Sequence, residues 1–269
     1  MTLPTNHNLF SLVFLVTILC SSLFLTTTAS ESKGEEYIYT KGARNGPENW
    51  GSLKPEWEVC RNGKSQSPID IKNVEGFSQL GKLKKDYKVA PATLKNRGHD
   101  IMLQWDGDAG KLNINGTYYK FVQSHWHTPS EHTLNGSKFD MEMHAVHENS
   151  KGERAVIGIW YTIGQPDPLL SKLLDNIKLS GDNKDIDLGI LNPGLIKFGS
   201  RKYYRYVGSL TTPPCSEGVI WTIVKKVRTV SREQLKALKE AVHDGFEINA
   251  RPTQELNGRK VWLYTPNVV

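Results

Sequence analysis

Histidines in two stretches of this chain have the spacing of a metal site. His125 and His127 flank Trp126, and His144 follows within the same 20-residue window. Both stretches have the composition of β-strands, in which alternate residues point to the same face. His125 and His127 therefore project side by side, and a neighbouring strand can bring His144 against them. Three neutral imidazoles suit a divalent zinc ion and leave its fourth tetrahedral position open for water. The pattern predicts a catalytic zinc site with hydrolytic or hydration chemistry.

Residues two positions before the histidines support this interpretation. Gln123 precedes His125 and Glu142 precedes His144 by two residues, so each shares the face of its histidine. A zinc-bound histidine needs an oxygen partner for its second ring nitrogen, and these two side chains are predicted to provide it. Glu131 is a candidate for a buried carboxylate near the metal. Three other histidines are predicted to be structural: His132, His147 and His243.

The elements that must position these side chains are mostly strands. Residues 111–114 turn at Asn115-Gly116, a strong hairpin signal, into a strand over 117–127 that contains the first two histidines. A second such turn, Asn135-Gly136, precedes a strand over 138–146 that contains the third. Apolar, β-branched residues predict buried strands over 155–162 and 219–224.

Helical signals are few. Asp167-Pro168 and the capping box that begins at Ser231 each predict a helix start. The chain is therefore predicted to be mainly β, in the α+β class. We expect a single domain built on a large, mostly antiparallel, twisted central sheet with a few short peripheral helices.

The first thirty residues are typical of a secretory signal peptide. An apolar run over 9–25 is followed by small polar residues, and cleavage is expected after Ala29 or Ser30. The mature domain would then span 31–269, with an uncleaved membrane anchor as the alternative. No later stretch is long and apolar enough to span a bilayer, so an exported protein without a membrane partner is expected.

Export affects the interpretation of the cysteines and of two sequons. Cys60 and Cys215 remain after signal removal and suggest one disulfide, with two buried thiols as the alternative. Asn115 and Asn135 each begin an Asn-Gly-Ser/Thr sequon at a predicted exposed turn, which makes them glycosylation candidates. The net charge of +6 is spread among interleaved acids and forms no basic stripe, so nucleic acid is not an expected partner.

Three blocks of sequence resemble the hallmark motifs of the α-class carbonic anhydrases. They are Gln-Ser-His-Trp-His-Thr-Pro-Ser-Glu-His over 123–132, Glu-Met-His-Ala-Val-His over 142–147 and Gly-Ser-Leu-Thr-Thr-Pro-Pro-Cys over 208–215. Segments at 45–50, 66–70 and 249–252 also resemble the family, so the resemblance spans residues 37 to 265. The second half of the first block and the paired cysteines are similar to exported plant members of the dioscorin and nectarin type.

This resemblance implies a role for each matching residue. It implies zinc bound by His125, His127 and His144, Gln123 and Glu142 as their hydrogen-bond partners, and a disulfide between Cys60 and Cys215. Thr211 would orient a zinc-bound hydroxide and pass its own proton to Glu131, and His99 would be the proton shuttle. The expected substrate pocket consists of Val146, Val156, Leu210, Thr212 and Trp221.

The implied activity is reversible hydration of carbon dioxide to bicarbonate and a proton, which makes the chain a zinc hydro-lyase. Arg97 and Met102 replace small polar residues that line the water chain in the family's best catalysts, so a slower shuttle is expected. The tyrosine that the fastest members place near the shuttle could be Tyr37 or Tyr39. The expected location is the secretory pathway and the apoplast, with ER-routed delivery to a plastid as the second destination.

Two alternatives belong to other classes. Some tuber storage proteins resemble this family without being enzymes, but in those a zinc ligand or the active-site threonine is typically altered, whereas here all are intact. A zinc peptidase would need a His-Glu-x-x-His helix, and the sequence contains none.

Overall fold

The structure, a computed structural model, describes residues 36–181 and 185–266. Within these ranges the strands are β1 (Asp70–Ile71), β2 (Glu75–Gly76), β3 (Lys84–Tyr87), β4 (Ala90–Asn96), β5 (Ile101–Trp105), β6 (Gly110–Ile114), β7 (Thr117–His127), β8 (Thr133–Leu134), β9 (Met141–Glu148), β10 (Arg154–Ile163), β11 (Ile186–Leu191), β12 (Tyr203–Ser209), β13 (Glu217–Val230) and β14 (Trp262–Tyr264). The α-helices are α1 (Trp50–Leu53), α2 (Val59–Asn62), α3 (Pro168–Leu179) and α4 (Arg232–Ala241), and short 3₁₀ turns occupy Pro55–Trp57, Ser78–Leu80 and Pro193–Leu195.

One large sheet dominates the fold. Its strand order is β11-β4-β5-β7-β9-β10-β13-β12-β14-β2, with β6 also beside β7 and β3 beside β6. The pairings are antiparallel except for β10 with β13 and β14 with β2, which are parallel. A separate parallel pair joins β1 and β8. The predicted fold class, a mostly antiparallel central sheet with few helices, is confirmed.

Both Asn-Gly turns form where the sequence predicts them. Asn115 and Gly116 have φ of 50° and 87° between β6 and β7, and Asn135 and Gly136 have φ of 49° and 79°. Positive φ at both central residues is the geometry that favours Asn-Gly in tight hairpins. Both asparagines are exposed, as a glycosylation acceptor must be, although use of the sequons stays a prediction.

The two longer helices begin at their predicted caps. The Asp167 side chain accepts hydrogen bonds from the backbone N–H groups of Leu169 and Leu170 at the start of α3. Ser231 and Gln234 form a reciprocal capping box at the start of α4.

Two strands differ in extent from the prediction. The strand with the third histidine begins at Met141 rather than at residue 138, because Lys138 and Phe139 bond to Ser130 of the preceding loop instead of to a neighbouring strand. β13 extends beyond residue 224 to Val230, because its second half keeps pairing with β10.

The core lies on both faces of the sheet. One buried cluster includes Leu103, Phe121 and Ile157, and a second on the face of the histidines includes Val146 and Trp221. A third cluster of aromatic rings surrounds the disulfide between Cys60 and Cys215, which confirms the predicted pairing.

The described residues belong to one compact unit. The predicted signal peptide over 1–30 lies outside the described residues, so it stays a prediction. Among the helices that the structure describes, none has the length and apolar character needed to cross a membrane.

Candidate active site

The three predicted histidines meet on one face of the sheet. β7 and β9 are antiparallel neighbours, and their register places the Cα of His125 opposite that of His144, with His127 two residues further along β7. The ring centroids are 5.0 Å apart for His125 and His127, 5.1 Å for His125 and His144, and 4.7 Å for His127 and His144. One ring nitrogen from each residue lies within 4.8 Å of the others. The two strands thus bring together three imidazoles with the spacing of metal ligands.

Hydrogen bonds determine which nitrogen of each ring faces the common centre. His125 donates from Nδ1 to Gln123 Oε1 at 2.9 Å, and His144 donates from Nε2 to Glu142 Oε1 at 3.0 Å. His127 donates from Nδ1 to the backbone oxygen of Asn249 at 2.7 Å. Because these oxygens are acceptors, the nitrogens that remain for a metal are Nε2 of His125, Nε2 of His127 and Nδ1 of His144.

The surroundings favour the neutral imidazoles that bind metal. Burial lowers the pKa of His125 and of His144, although Asp100 and Glu142 respectively act in the opposite direction. A histidine must be unprotonated to donate a lone pair, so a depressed pKa keeps these rings ready to bind a metal near neutral pH.

Two buried atoms beside the common centre have no hydrogen-bond partner. Nε2 of His127 and Oε2 of Glu131 have no partner, and they lie 3.5 Å apart. The other oxygen of Glu131 accepts from the backbone N–H of Arg251 at 2.9 Å, which holds the carboxylate in place. An orphaned imidazole nitrogen in a set of three is what a zinc ion would satisfy, so these residues fit zinc.

A second group of possible ligands near the site is internally bonded. His132 bonds through Nδ1 to Glu142 Oε1 at 2.8 Å and through Nε2 to the Tyr206 hydroxyl at 2.7 Å, so both ring nitrogens are used. The other oxygen of Glu142 accepts from the backbone N–H groups of Glu131 and His132. His132 therefore has a structural position, and Glu142 is held at four points behind His144.

A cavity of about 400 Å³ opens over His125 and His144. All five residues of the expected substrate pocket line it: Val146, Val156, Leu210, Thr212 and Trp221. Thr211 lines it as well and is 5% exposed. Trp221 donates from Nε1 to the backbone oxygen of Ser209, just before Leu210, which ties the threonine loop to the apolar wall.

His99 lies beside Asp100 and is not one of the residues that line this cavity. Its side chain is 21% exposed, and its Nε2 is 3.9 Å from Oδ1 of the buried Asp100. Its ring lies 5.5 Å from that of Tyr37, whereas Tyr39 packs against Trp50 and Phe246. Of the two candidate tyrosines, Tyr37 is thus the one whose ring stands beside His99.

The two residues that depart from the family pattern have different surroundings. Arg97 lines the cavity and forms a two-point ion pair with Asp100 through Nε and one terminal amino group. Met102 pairs with His125 across β5 and β7. The positive charge of Arg97 is therefore opposed by a buried carboxylate next to His99.

Two residues that support the site were not predicted from the sequence. Asn249 provides the carbonyl for His127, and its side chain also bonds the backbone of Thr128 and His99. Arg251 contributes its N–H to Glu131 and extends its guanidinium to Gln66, Ser67 and Cys60. Only the motif at 249–252 drew attention to them, because no local spacing links them to residues more than 100 positions earlier.

The fold is a mostly antiparallel sheet, and its candidate site is a set of three histidines with the spacing of metal ligands beside a partly apolar cavity. The model of the eukaryotic-type carbonic anhydrases matches residues 45–265, and the chain belongs to this family. It is 53% identical over 234 residues to alpha carbonic anhydrase 4 of Arabidopsis thaliana, covering 86% of this chain and 87% of that one.

Solved structures agree with this assignment. The crystal structure of dioscorin complexed with ascorbate superposes with a TM-score of 0.83 at 44% identity, over 85% of this chain and 97% of that chain. A hyperthermostable carbonic anhydrase from an active hydrothermal vent chimney gives 0.79 at 34% identity, over 85% and 100%.

Proposed function

We propose that this protein catalyses the reversible hydration of carbon dioxide to bicarbonate and a proton. The observation that carries the proposal is the convergence of three imidazoles with the spacing of metal ligands, two of which line a cavity with a partly apolar wall. The reaction needs a metal site with an open position and a dry wall for a linear, uncharged substrate. Membership of the carbonic anhydrase family supports the same lyase class.

His125, His127 and His144 would hold a zinc ion through Nε2, Nε2 and Nδ1. When bound, zinc acts as a Lewis acid that lowers the pKa of a coordinated water to about 7, a value established for carbonic anhydrases themselves. Gln123, Glu142 and the Asn249 carbonyl keep the three rings in the required tautomers. The chain thus provides a preorganised ligand set.

Thr211 and Glu131 would orient the nucleophile. Oε2 of Glu131 has no hydrogen-bond partner, so it is available to accept the hydroxyl proton of Thr211. With its proton committed to Glu131, the Thr211 oxygen can only accept, which directs the nucleophile's lone pair toward the carbon of the substrate. Val146, Val156, Leu210 and Trp221 would hold the substrate beside it, with Thr212 at the mouth.

His99 would pass the released proton to buffer, because an imidazole exchanges protons near neutral pH. Arg97, which is paired with Asp100 beside His99, and Met102 replace small polar groups that could hold water, so we propose a working but slower shuttle. In His99→Ala, turnover should fall and added imidazole should restore it. Unchanged turnover without any imidazole effect would remove His99 from the mechanism.

The decisive experiment is stopped-flow hydration of carbon dioxide by the purified mature protein, with zinc quantified in the same sample. About one zinc per chain together with turnover that a sulfonamide inhibits would establish the activity. A folded, oxidised sample with neither zinc nor turnover would refute it.

A binding or storage protein on the same fold is the second candidate, because the chain is 44% identical to a dioscorin whose solved structure contains ascorbate. Bound zinc without hydration would favour it. In either case the N-terminal segment supports export, with the apoplast as the proposed location.

A further inference from the structure

A second cleft lies on the face of the sheet opposite the histidines. On β12, Tyr206 points toward His132 and stacks on Trp221, so its neighbour Arg205 points to the other face. Arg205 lines two adjoining cavities there, of about 380 Å³ and 200 Å³. The two cavities share Leu80, Ile114, Asn115 and Arg205.

Arg205 is a buried cation without an anionic partner. The residue is 8% exposed, and its Nε donates to Thr222 Oγ1 at 2.9 Å. The guanidinium also lies 5.1 Å from the centre of the Tyr203 ring. Within the described residues, its two terminal amino groups have no hydrogen-bond acceptor and no carboxylate lies within ion-pair distance. A guanidinium has five donors and stays charged, so burying it without an anion is unfavourable.

The rest of the cleft has the same sign of charge. No residue that lines either cavity is acidic. Four lining residues besides Arg205 are basic: Lys82, Lys84, Arg259 and Lys260. Two of these residues have partners: Lys260 pairs with Glu75 at 3.1 Å, and Arg259 donates to backbone carbonyls. The other two, Lys82 and Lys84, form no ion pair with any described residue. The field in the cleft is therefore positive, with Arg205 at its buried end.

The larger cavity also has apolar walls. Val207 lies on β12 two residues after Arg205 and is 53% exposed, and Ile220 lies on the neighbouring strand β13. The half-buried Trp262 of β14 is paired with Arg205 of β12. An indole and aliphatic side chains pack well against a flat ring, while a guanidinium fork matches the two oxygens of a carboxylate.

We propose that this cleft binds a small carboxylate carried on an apolar ring. The carboxylate accepts from the terminal amino groups of Arg205, and the ring packs against Val207, Ile220 and Trp262. The site is separate from the metal centre and does not depend on the proposed function. An inorganic oxyanion would satisfy Arg205 alone and leave the apolar wall exposed, so the two kinds of ligand can be told apart.

The test is calorimetric titration of the zinc-loaded protein with benzoate, with a saturating sulfonamide present to exclude binding at the histidine site. Because Asn115 lies on the rim of the cleft, Thr117→Ala is included throughout to prevent glycosylation there. We expect one benzoate per chain, and at least about tenfold weaker binding of the uncharged benzamide.

Variants make the assignment to Arg205 specific. Arg205→Met should weaken benzoate binding at least about tenfold, and the exposed Arg201→Met is the matched control that should leave it unchanged. Neither should alter hydration turnover. Val207→Glu places a negative charge at an exposed position of the cleft, where it repels the carboxylate of benzoate. It should also weaken benzoate binding at least about tenfold, so the proposal can be tested even where Arg205→Met folds poorly.

Two results would overturn the proposal. One is benzoate binding that is absent, or that is equal in Arg205→Met, Val207→Glu and the parent. The other is binding of inorganic phosphate as tight as that of benzoate, which would make the apolar wall irrelevant and the cleft an inorganic anion site.

Discussion

At the scale of single residues, the candidate site separates the groups that would hold a metal from the groups that would orient the proposed reaction. Each histidine has one nitrogen bonded to an oxygen and one facing the common centre. Thr211 and Glu131 stand beside that centre, one lining the cavity and one buried with an unpartnered oxygen. Substitutions at the two kinds of position should therefore affect different measurements.

Replacing Thr211 by valine keeps the shape of the side chain and removes the hydroxyl that would orient the nucleophile. We expect kcat/KM for hydration to fall about 100-fold while zinc content stays at one per chain. Thr212→Val is the matched control and should have a much smaller effect, because Thr212 lines the same cavity but is not proposed to bond to Glu131. Equal losses in the two variants would contradict the role of Thr211.

His147 should make stability depend on pH. Burial between Phe121 and Tyr87 lowers its pKa to about 4, from an ordinary value near 6.5. The unfolded chain therefore binds a proton at a higher pH than the folded chain does. Above about pH 6.5 His147 is neutral in both states and does not lower the free energy of unfolding. As pH falls from about 6.5 toward about 4, protonation of the unfolded chain lowers the free energy of unfolding, by about 3 kcal/mol at most.

In His147→Gln, the free energy of unfolding should change less between neutral and mildly acidic pH than in the parent. Urea unfolding at both pH values measures this, and His243→Gln, at a half-buried ring, serves as control. A parent-like pH dependence in His147→Gln would show that His147 is not the titrating group.

At the scale of elements, β7, β9 and β10 form the platform of the candidate metal site. The register of β7 with β9 brings the histidines together, and β10 supports β9 from the other side, with Gly158 opposite His144. A Cβ at Gly158 would lie 2.6 Å from Ile223 Cδ1 and 2.9 Å from Glu142 Oε1. The absent side chain leaves room for the carboxylate that orients His144.

Gly158→Ala should therefore disturb the metal site from the neighbouring strand. We expect the free energy of unfolding to fall by about 1–3 kcal/mol and zinc affinity to fall about tenfold, because Glu142 must move. Chelator competition and urea unfolding measure the two effects. Gly76→Ala, where no atom lies within 4 Å of the added Cβ, should change neither. Unaltered zinc affinity in Gly158→Ala would mean that Glu142 adapts without loss.

At the scale of the whole molecule, the disulfide and Arg251 connect the ends of the domain. Cys60 and Cys215 are separated by 155 residues, and Arg251 donates to the backbone oxygen of Cys60 while its own N–H holds Glu131. Cys215 also donates its N–H to the Thr212 oxygen at 2.8 Å. The cross-link thus restrains the loop that contains the threonines.

Removing both cysteines, as Cys60→Ser with Cys215→Ser, should lower the free energy of unfolding by about 2–5 kcal/mol, because the unfolded chain gains the freedom of a long open loop. Denaturant unfolding with and without a reducing agent measures it. A reducing agent should lower the parent's free energy of unfolding toward that of the double variant, and it should leave the free energy of unfolding of the double variant unchanged. A parent that is insensitive to complete reduction would contradict the expectation.

Much of the site follows from local rules that sequence displays directly. Residues two positions apart lie on one face of a strand, because side chains alternate between its faces. This spacing separates His125 from His127, Gln123 from His125, and Glu142 from His144. The Asn115-Gly116 turn and the Ser231 capping box also depend on a few adjacent residues, so they were predictable. Family resemblance added the proposed roles of Thr211 and His99 and of Glu131 as a proton acceptor, which no spacing implies.

Only the tertiary structure decided which distant groups meet. The Asn249 carbonyl reaches His127 across 122 residues, Tyr37 rather than Tyr39 stands beside His99, and Asp100 opposes the charge of Arg97. The isolation of Arg205 in a basic cleft likewise depends on strands from opposite ends of the domain. Local patterns determine the face on which a side chain lies, but strand order and packing determine what lies opposite, because those contacts join segments whose separation leaves no periodic signal in the sequence.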